Sequence, residues 1–397
     1  MRSHQIELQP TIKQHIYFSK ACGVARFAWN WSLSEWDNQY KAGLKSSESK
    51  LRRELNAVKR TQFPWMLEVT KCAPQQAIKN LGKAFTRFFK GLSTRPRLKK
   101  KGVHDSFRVD NGPGTITFYP DRVKLLSIGR VKIKEPLRLS GKIISATVSR
   151  TANRWFISVT TDTDIPSIVR ENQAAVGVDL GIKAVAICSD GKVFIGPKAL
   201  TRNLRRLKLS ARRLSRRKSG SSGRWRARMA LAKRHYRVRC IRQDFLHKTT
   251  TEIVKKYSTI VLEDLNVRGM MRNHKLARAI SDVGMGEFRR QIEYKAAWYG
   301  SKVIFADRFY PSSKTCSSCG LIYADLTLSD REWDCPGCGV HHDRDLNAAK
   351  NLLKLATVSS TESHADGDRS SGVSPSGIFQ PVVEVGISPC STRSVKR

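Results

Sequence analysis

The sequence predicts an α+β multidomain protein: a short strand, a helical segment and a β-rich unit, then an α/β domain that carries a zinc ribbon. Three observations predict it. Apolar and aromatic residues keep helical spacing from about residue 12 to residue 90, then give way to short strand-like runs that end near Ile168. From Ala174 onward, strand-like and helix-like segments alternate. Near the C-terminal end, two CxxC pairs stand 15 residues apart.

Composition bounds the rest. A chain of 397 residues can bury a sizeable core and is expected to form two or three units. Lys and Arg outnumber Asp and Glu by 40. Such a surplus repels itself in a compact fold unless a polyanion neutralises it, so nucleic acid is the expected partner. A membrane surface fits poorly, because no apolar run approaches about 18 residues. The start, MRSHQIELQPT, lacks the apolar core of a signal peptide, which points to a cytoplasmic setting. There, cysteines serve metal more often than disulfides. Cys22, Cys72, Cys188, Cys240 and Cys390 are scattered and read as ordinary thiols.

Taken in order, HQIELQPT reads as a strand. The segments FAWNWSLSEW and AIKNLGKAFTRFFK read as helix, with breaks at Pro64 and Pro74. GLSTRPRLKKKGVHDSFR is a basic connector, and short strands follow with turns at Asp121 and Asn153. In AAVGVDLGIKAVAICSDGKVFIG, two apolar runs flank Asp190-Gly191, a hairpin signal. Basic helices then cover about residues 201–256, followed by the strand STIVLEDLN, the helix EFRRQIEYKAAWYG and the strand SKVIFADRF. After the ribbon, DRDLNAAKNLLKL closes the domain as a helix. Residues 356–397 turn rich in Ser, Thr, Gly and Val, their four acids balanced by four bases, and read as a disordered tail.

Cys316, Cys319, Cys335 and Cys338 suit tetrahedral zinc, two thiolates per tight turn, with a structural role. Beside them His341 and His342 are superfluous as ligands and read as solvent or phosphate contacts. Three acids call for comparison. Asp179 interrupts an apolar strand and Glu263 ends another. Asp345 shares the core-facing stripe of its helix with Ala348, Ala349 and Leu352, whereas Asp343 fits an N-cap. Alternation along a strand sends Glu263 and Asp264 to opposite faces. Each acid alone also fits a cap, a turn or an ion pair. Together they could converge on Mg²⁺ or Mn²⁺, and in a nucleic-acid-binding protein the use of such a cluster is two-metal phosphodiester hydrolysis.

Between Arg202 and Arg242 stand 17 Lys or Arg and no acid, a pattern for neutralising phosphates. The break KSGSSGRW predicts two helices there. Arg202, Arg205, Arg206, Arg212, Arg213, Arg216, Arg217, Lys218, Arg224 and Arg226 are the candidate phosphate contacts, and Trp225 could stack on bases. No GxxxxGK[ST] stretch occurs, so no ATP requirement is expected.

The ordered set GVDLG, VLEDLN, YPSSKTCSSCG, CPGCG and DRDLNAAKN closely resembles the TnpB (OrfB) family of IS200/IS605-type insertion sequences, relatives of the type V CRISPR nucleases. The resemblance spans about residues 1–355. It implies a wedge-like β-barrel (1–11 and 91–168) interrupted by a helical recognition insertion (12–90). It further implies a split RNase H-like (RuvC) nuclease domain (174–311 and 343–355) with a zinc ribbon (312–342), and Asp179, Glu263 and Asp345 as the family's three acids. Also implied are a noncoding guide RNA, a double-stranded DNA target beside a short motif, and RNA-guided cleavage in a prokaryotic, nucleoid-associated setting. The gene's end commonly overlaps the RNA in this family, which would account for the tail. Two rivals stand beside this reading. A transposase proper would join strands, and an RNA-guided DNA-binding regulator would not cut.

Overall fold

The computed structural model describes residues 1–112, 114–163, 174–327, 329–361 and 383–385. It divides into two units, Met1–Asp164 with Ile378–Arg397, and Ile165–Gly377.

In the first unit, strand β1 (Arg2–Gln9) leads into helix α1 (Ile12–Lys41) through Thr11. The Thr11 hydroxyl accepts from Gln14 N while the Gln14 side chain accepts from Thr11 N, a reciprocal cap that fixes where the helix begins. Phe18, Ala21, Cys22, Ala25, Ala28, Trp29 and Leu33 form the buried stripe of α1. Helices α2 (Glu48–Val58) and α3 (Cys72–Phe89) follow, separated by a 3₁₀ turn, Pro64–Glu68. Pro64 opens that turn, but Pro74 sits in the first turn of α3, where its missing N–H costs nothing. The basic connector does not run free. Trp29 Nε1 donates to Arg97 O, Asn30 pairs both ways with the Lys99 backbone, and Arg95 meets Asp37, so it is pinned along α1.

Strands β2 (Ser106–Asp110), β3 (Ile116–Phe118), β4 (Arg122–Leu125), β5 (Gly129–Ile133), β6 (Lys142–Thr151) and β7 (Arg154–Asp162) complete the unit. The turn expected at Asn153 is a two-residue hairpin in which Ala152 and Asn153 both take positive φ. Sheet order is β2-β6-β7-β1-β5-β4-β3. Where the resemblance implies a barrel, no ladder joins β2 to β3 among the described residues, because three-residue β3 folds back only on β4.

The second unit opens with β8 (Ala175–Asp179), β9 (Ala186–Cys188) and β10 (Val193–Phe194). Gly191 supplies the positive φ of the hairpin between β9 and β10. The basic run forms α4 (Ala199–Ser215) and α5 (Ser222–Lys256). Next come β11 (Thr259–Glu263), α6 (Val267–Met270), α7 (Ala277–Val283), α8 (Met285–Tyr299) and β12 (Lys302–Ala306). The sheet runs β10-β9-β8-β11-β12, with β8, β11 and β12 parallel. Strand alternation assigns its two faces. Val176, Val178, Ile260 and Leu262 pack with Leu246, Ile253, Phe288 and Ile292 of α5 and α8. Val261 packs on the other side, against Leu352 of the last helix, α9 (Arg344–Thr361). Before α9 stand β13 (Glu332–Asp334) and β14 (His341–Asp343), an antiparallel pair.

Of the tail, residues 356–361 continue α9, so the helix outruns the expected boundary, and β15 (Val383–Val385) pairs in parallel with Ser3–Gln5 of β1. Those segments take helix and strand where the tail was expected to have neither; the rest of the tail lies outside the described residues.

Candidate active site and metal centre

Asp179 and Glu263 end adjacent parallel strands. The register pairs Val178 with Leu262, so the two acids are the next neighbours along, at the carboxyl edge where open α/β sheets bind ligands. Alternation turns both toward the α9 face, the one opposite α5 and α8. Helix α9 crosses β8 at Gly177, where a Cβ would lie 2.0 Å from Ala349 O and 2.5 Å from Leu353 N. This contact between two backbones brings the first turn of α9, with Asp345, to the end of β8. Asp343 caps the helix, as expected, by accepting from Leu346 N at 2.8 Å, and Ala348, Ala349 and Leu352 form a buried stripe beside the half-buried Asp345.

The three carboxylates act on one another. Burial, then the charges of Glu263 and Asp345, push the Asp179 carboxyl up to about 8; Arg344 and the Leu180 N–H oppose the rise. Its surface is half-buried, so the surrounding protein and the two like charges, rather than full enclosure, make ionisation costly. Glu263 accepts from Ser312 Oγ at 2.6 Å, and Asp345 takes Arg331 at 3.4 and 3.5 Å. Asp264, on the opposite face, is claimed by Arg289 of α8 and by Arg308. It is therefore separate from the trio.

The four cysteines come together. Their sulfurs all lie within 4.8 Å, with Cys316 to Cys338 at 3.7 Å and Cys319 to Cys335 at 3.5 Å. A tetrahedron with Zn–S near 2.3 Å has edges of about 3.8 Å, so the donor set fits zinc. Among the described residues this is the group that meets that spacing; the three carboxylates are spread wider. Two matching knuckles build it: Gly320 N donates to Cys316 O and Gly339 N to Cys335 O, both glycines at positive φ. Burial opposes ionisation of Cys316, but N–H groups of Cys319 and Ser318 and the His342 ring bring its thiol down to about 5.

His341 and His342 behave differently. His341 is exposed beside Asp334, as expected of a solvent contact. His342 is buried, set against Trp333 and 3.0 Å from Cys316 Sγ, which corrects its reading as a solvent or phosphate contact. Adjacent residues on β14 point to opposite faces, and only the second points at the sulfur.

Sequence reasoning missed Ser312, Arg331, Gly177 and the buried Asn347 and Asn351. The two asparagines are i, i+4 on α9. Asn347 Nδ2 donates to Thr315 O, and Asn351 Nδ2 to Ser312 O and Thr315 O, fastening the first knuckle to the helix. A readable signal existed for Gly177, a glycine inside a strand.

In the basic run, Arg202, Arg205, Arg206, Arg212, Arg213, Arg216, Arg217, Lys218 and Arg226 are exposed, and none is ion-paired to an acid among the described residues. Trp225 is exposed too. Arg224 instead donates to Leu214 O and Arg217 O, closing the turn between α4 and α5. A cleft of about 410 Å³ lies between these helices, with Arg213, Arg217, Arg226 and Arg234 around Gly223 and Ala227.

At the level of class, this is a mixed α/β protein with a four-cysteine cluster. Family models match at residues 156–274 ("Probable transposase"), 286–352 ("Cas12f1-like, TNB domain") and 1–45 ("Helix-turn-helix domain"); the last stretch here is a strand and one long helix. The chain is 35% identical over 373 residues to the "Putative RNA-guided DNA endonuclease" of Streptomyces pristinaespiralis, covering 90% of each. It is 29% identical to the "Putative RNA-guided DNA endonuclease InsQ" of Escherichia coli (strain K12), covering 89% of this chain and 92% of that one. The chain belongs to the TnpB (OrfB) family. Among solved structures it is similar to "Cryo-EM structure of CasPhi-2 (Cas12j) bound to crRNA", with TM-score 0.42, 10% identity and coverage of 89% and 97%. Family membership rests on the sequence identities, not on that low score.

Proposed function

We propose that the protein is an RNA-guided DNA endonuclease whose RNase H-like domain hydrolyses phosphodiesters at Asp179, Glu263 and Asp345. One observation carries the reading: Asp179 and Glu263 end adjacent parallel strands on the face that α9 covers, and α9 packs on Gly177 so that Asp345 in its first turn comes to the same edge. Mutually repelling carboxylates at a sheet's carboxyl edge form a cation site, and their oxygens are the hard donors that Mg²⁺ or Mn²⁺ prefers. Once bound, such ions supply the Lewis acidity for phosphodiester hydrolysis.

The chain's own residues set the geometry. Ser312 orients the Glu263 carboxylate and Arg331 holds Asp345, while the zinc knuckles and the two asparagines keep the loop of Ser312 registered on α9. The exposed arginines of α4 and the start of α5, which meet no acid among the described residues, carry the backbone of guide RNA and target DNA; base pairing chooses the target and a short adjacent motif licenses it. The relatives' names support this partner choice. No helix among the described residues is long and apolar enough to cross a membrane.

Protein purified with its bound RNA, given Mg²⁺ and DNA matching that RNA, is expected to cut. Asp179→Ala should lose cleavage by at least about a hundredfold with RNA and DNA binding retained. Undiminished cleavage would sink the site assignment, and joined rather than cut strands would favour a transposase.

A further inference from the structure

Residues 307–315 connect β12 to the first zinc knuckle, and most of that loop is tied down. Asp307 Oδ1 accepts from Phe309 N, and Arg308 reaches Asp264 at 2.6 Å. Tyr310 OH donates to Asn351 O, Ser312 Oγ to Glu263, and the backbone of Ser312 and Thr315 is held by Asn351. The side chain between these anchors behaves otherwise. Phe309 is 87% exposed, more than any other large hydrophobic side chain among the described residues. Its backbone N–H is bonded and its neighbours are clamped, so the ring is presented from a fixed base rather than left on a loose tip.

Distance limits where that ring can act. Phe309 stands three positions before Ser312, whose hydroxyl lies 2.6 Å from Glu263, so the two Cα atoms are at most about 11 Å apart. An aromatic ring held in water within reach of a carboxylate cluster, in a chain carrying a surplus of 40 positive charges, suits a ligand with both phosphate and a π-face. A nucleobase of the strand being cut is such a ligand.

We propose that Phe309 is a substrate-positioning residue whose ring stacks on a nucleobase flanking the phosphodiester presented to Asp179, Glu263 and Asp345. The inference rests on the nuclease reading above and adds to it a contact to a base rather than to phosphate. Because stacking tolerates any base, the contact fixes where the strand lies without selecting its sequence.

The test is single-turnover cleavage by full-length protein carrying its copurified RNA, on matching DNA with an abasic site moved one nucleotide at a time across the mapped cut. On intact DNA, Phe309→Ala is expected to slow cleavage roughly ten- to hundredfold with target affinity unchanged, and Phe309→Trp to restore the rate. At one abasic position, wild type should fall to the rate of Phe309→Ala and the two should become equal. Wild-type speed in Phe309→Ala overturns the inference, as does equal loss in Phe309→Ala and Phe309→Trp, or a difference between wild type and Phe309→Ala that survives at every abasic position. Wild-type protein that makes no cut overturns the nuclease reading itself, and undiminished cleavage by Asp179→Ala overturns the site assignment; either result takes this inference with it.

Discussion

Asp179 holds its proton up to about pH 8, against an ordinary value of 3.8, and this has a measurable sign. Between those values the folded chain keeps a proton that the unfolded chain has released, so this group's contribution to stability falls as pH rises from 3.8 to about 8 and levels off above it. A divalent cation competes with that proton. The gain in Tm from Mg²⁺ should therefore grow between pH 6 and pH 9, and a gain independent of pH would remove Asp179 from the metal site. His342 makes a separate prediction at the ribbon. Its ring supports the Cys316 sulfur at 3.0 Å, so His342→Ala should weaken zinc about ten- to a hundredfold in chelator competition, whereas His341→Ala should not.

Helix α9 ties the two centres together. Its N-terminal turn presents Asp345, its asparagines hold the first knuckle, and its backbone lies on Gly177. Gly177→Ala inserts a methyl group against two backbone atoms that cannot rotate away, so the helix must lift. A loss of about 1–3 kcal/mol in unfolding free energy is expected, with cleavage reduced beyond what stability explains. Ala227→Val in α5, by contrast, should leave stability and cleavage closer to wild type. Stripping zinc should act through the same helix: Thr315 and Ser312 would lose their register, and cleavage should fall even in saturating Mg²⁺.

For the whole molecule, the dominant quantity is charge. A surplus of 40 predicts RNA affinity that drops steeply with salt, log K falling by about 0.7 per tenfold rise in salt for each phosphate neutralised on a single strand. A shallow slope in filter binding would mean that few of the exposed arginines of α4 and α5 touch phosphate. Truncation is also sharpened by the fold. Because α9 runs to Thr361 and Ala356 is buried, a stop at residue 356 cuts into the helix. A stop after Thr361, with guide RNA supplied separately, should preserve cleavage. It also removes β15, so a modest drop in Tm is expected as the edge of β1 that it covers becomes exposed.

The sequence by itself determined the period changes, the hairpins at Asn153 and Asp190-Gly191, the two basic helices, the four cysteines and the Asp343 cap of α9. Each is a local property: a side-chain period, a turn dihedral or a cap is set by residues within about one helical turn of each other. Only the tertiary structure decided that His342 faces a thiolate while His341 faces water, that Ser312 and Arg331 hold two of the three acids, and that Gly177 is the point where helix and strand touch. Those facts join residues far apart in the chain, Gly177 to Ala349 and Glu263 to Ser312, and no local pattern encodes which distant partner a side chain meets. Register and packing supply that, because close-packed interiors leave one arrangement in which strand ends, helix start and metal knuckles all fit.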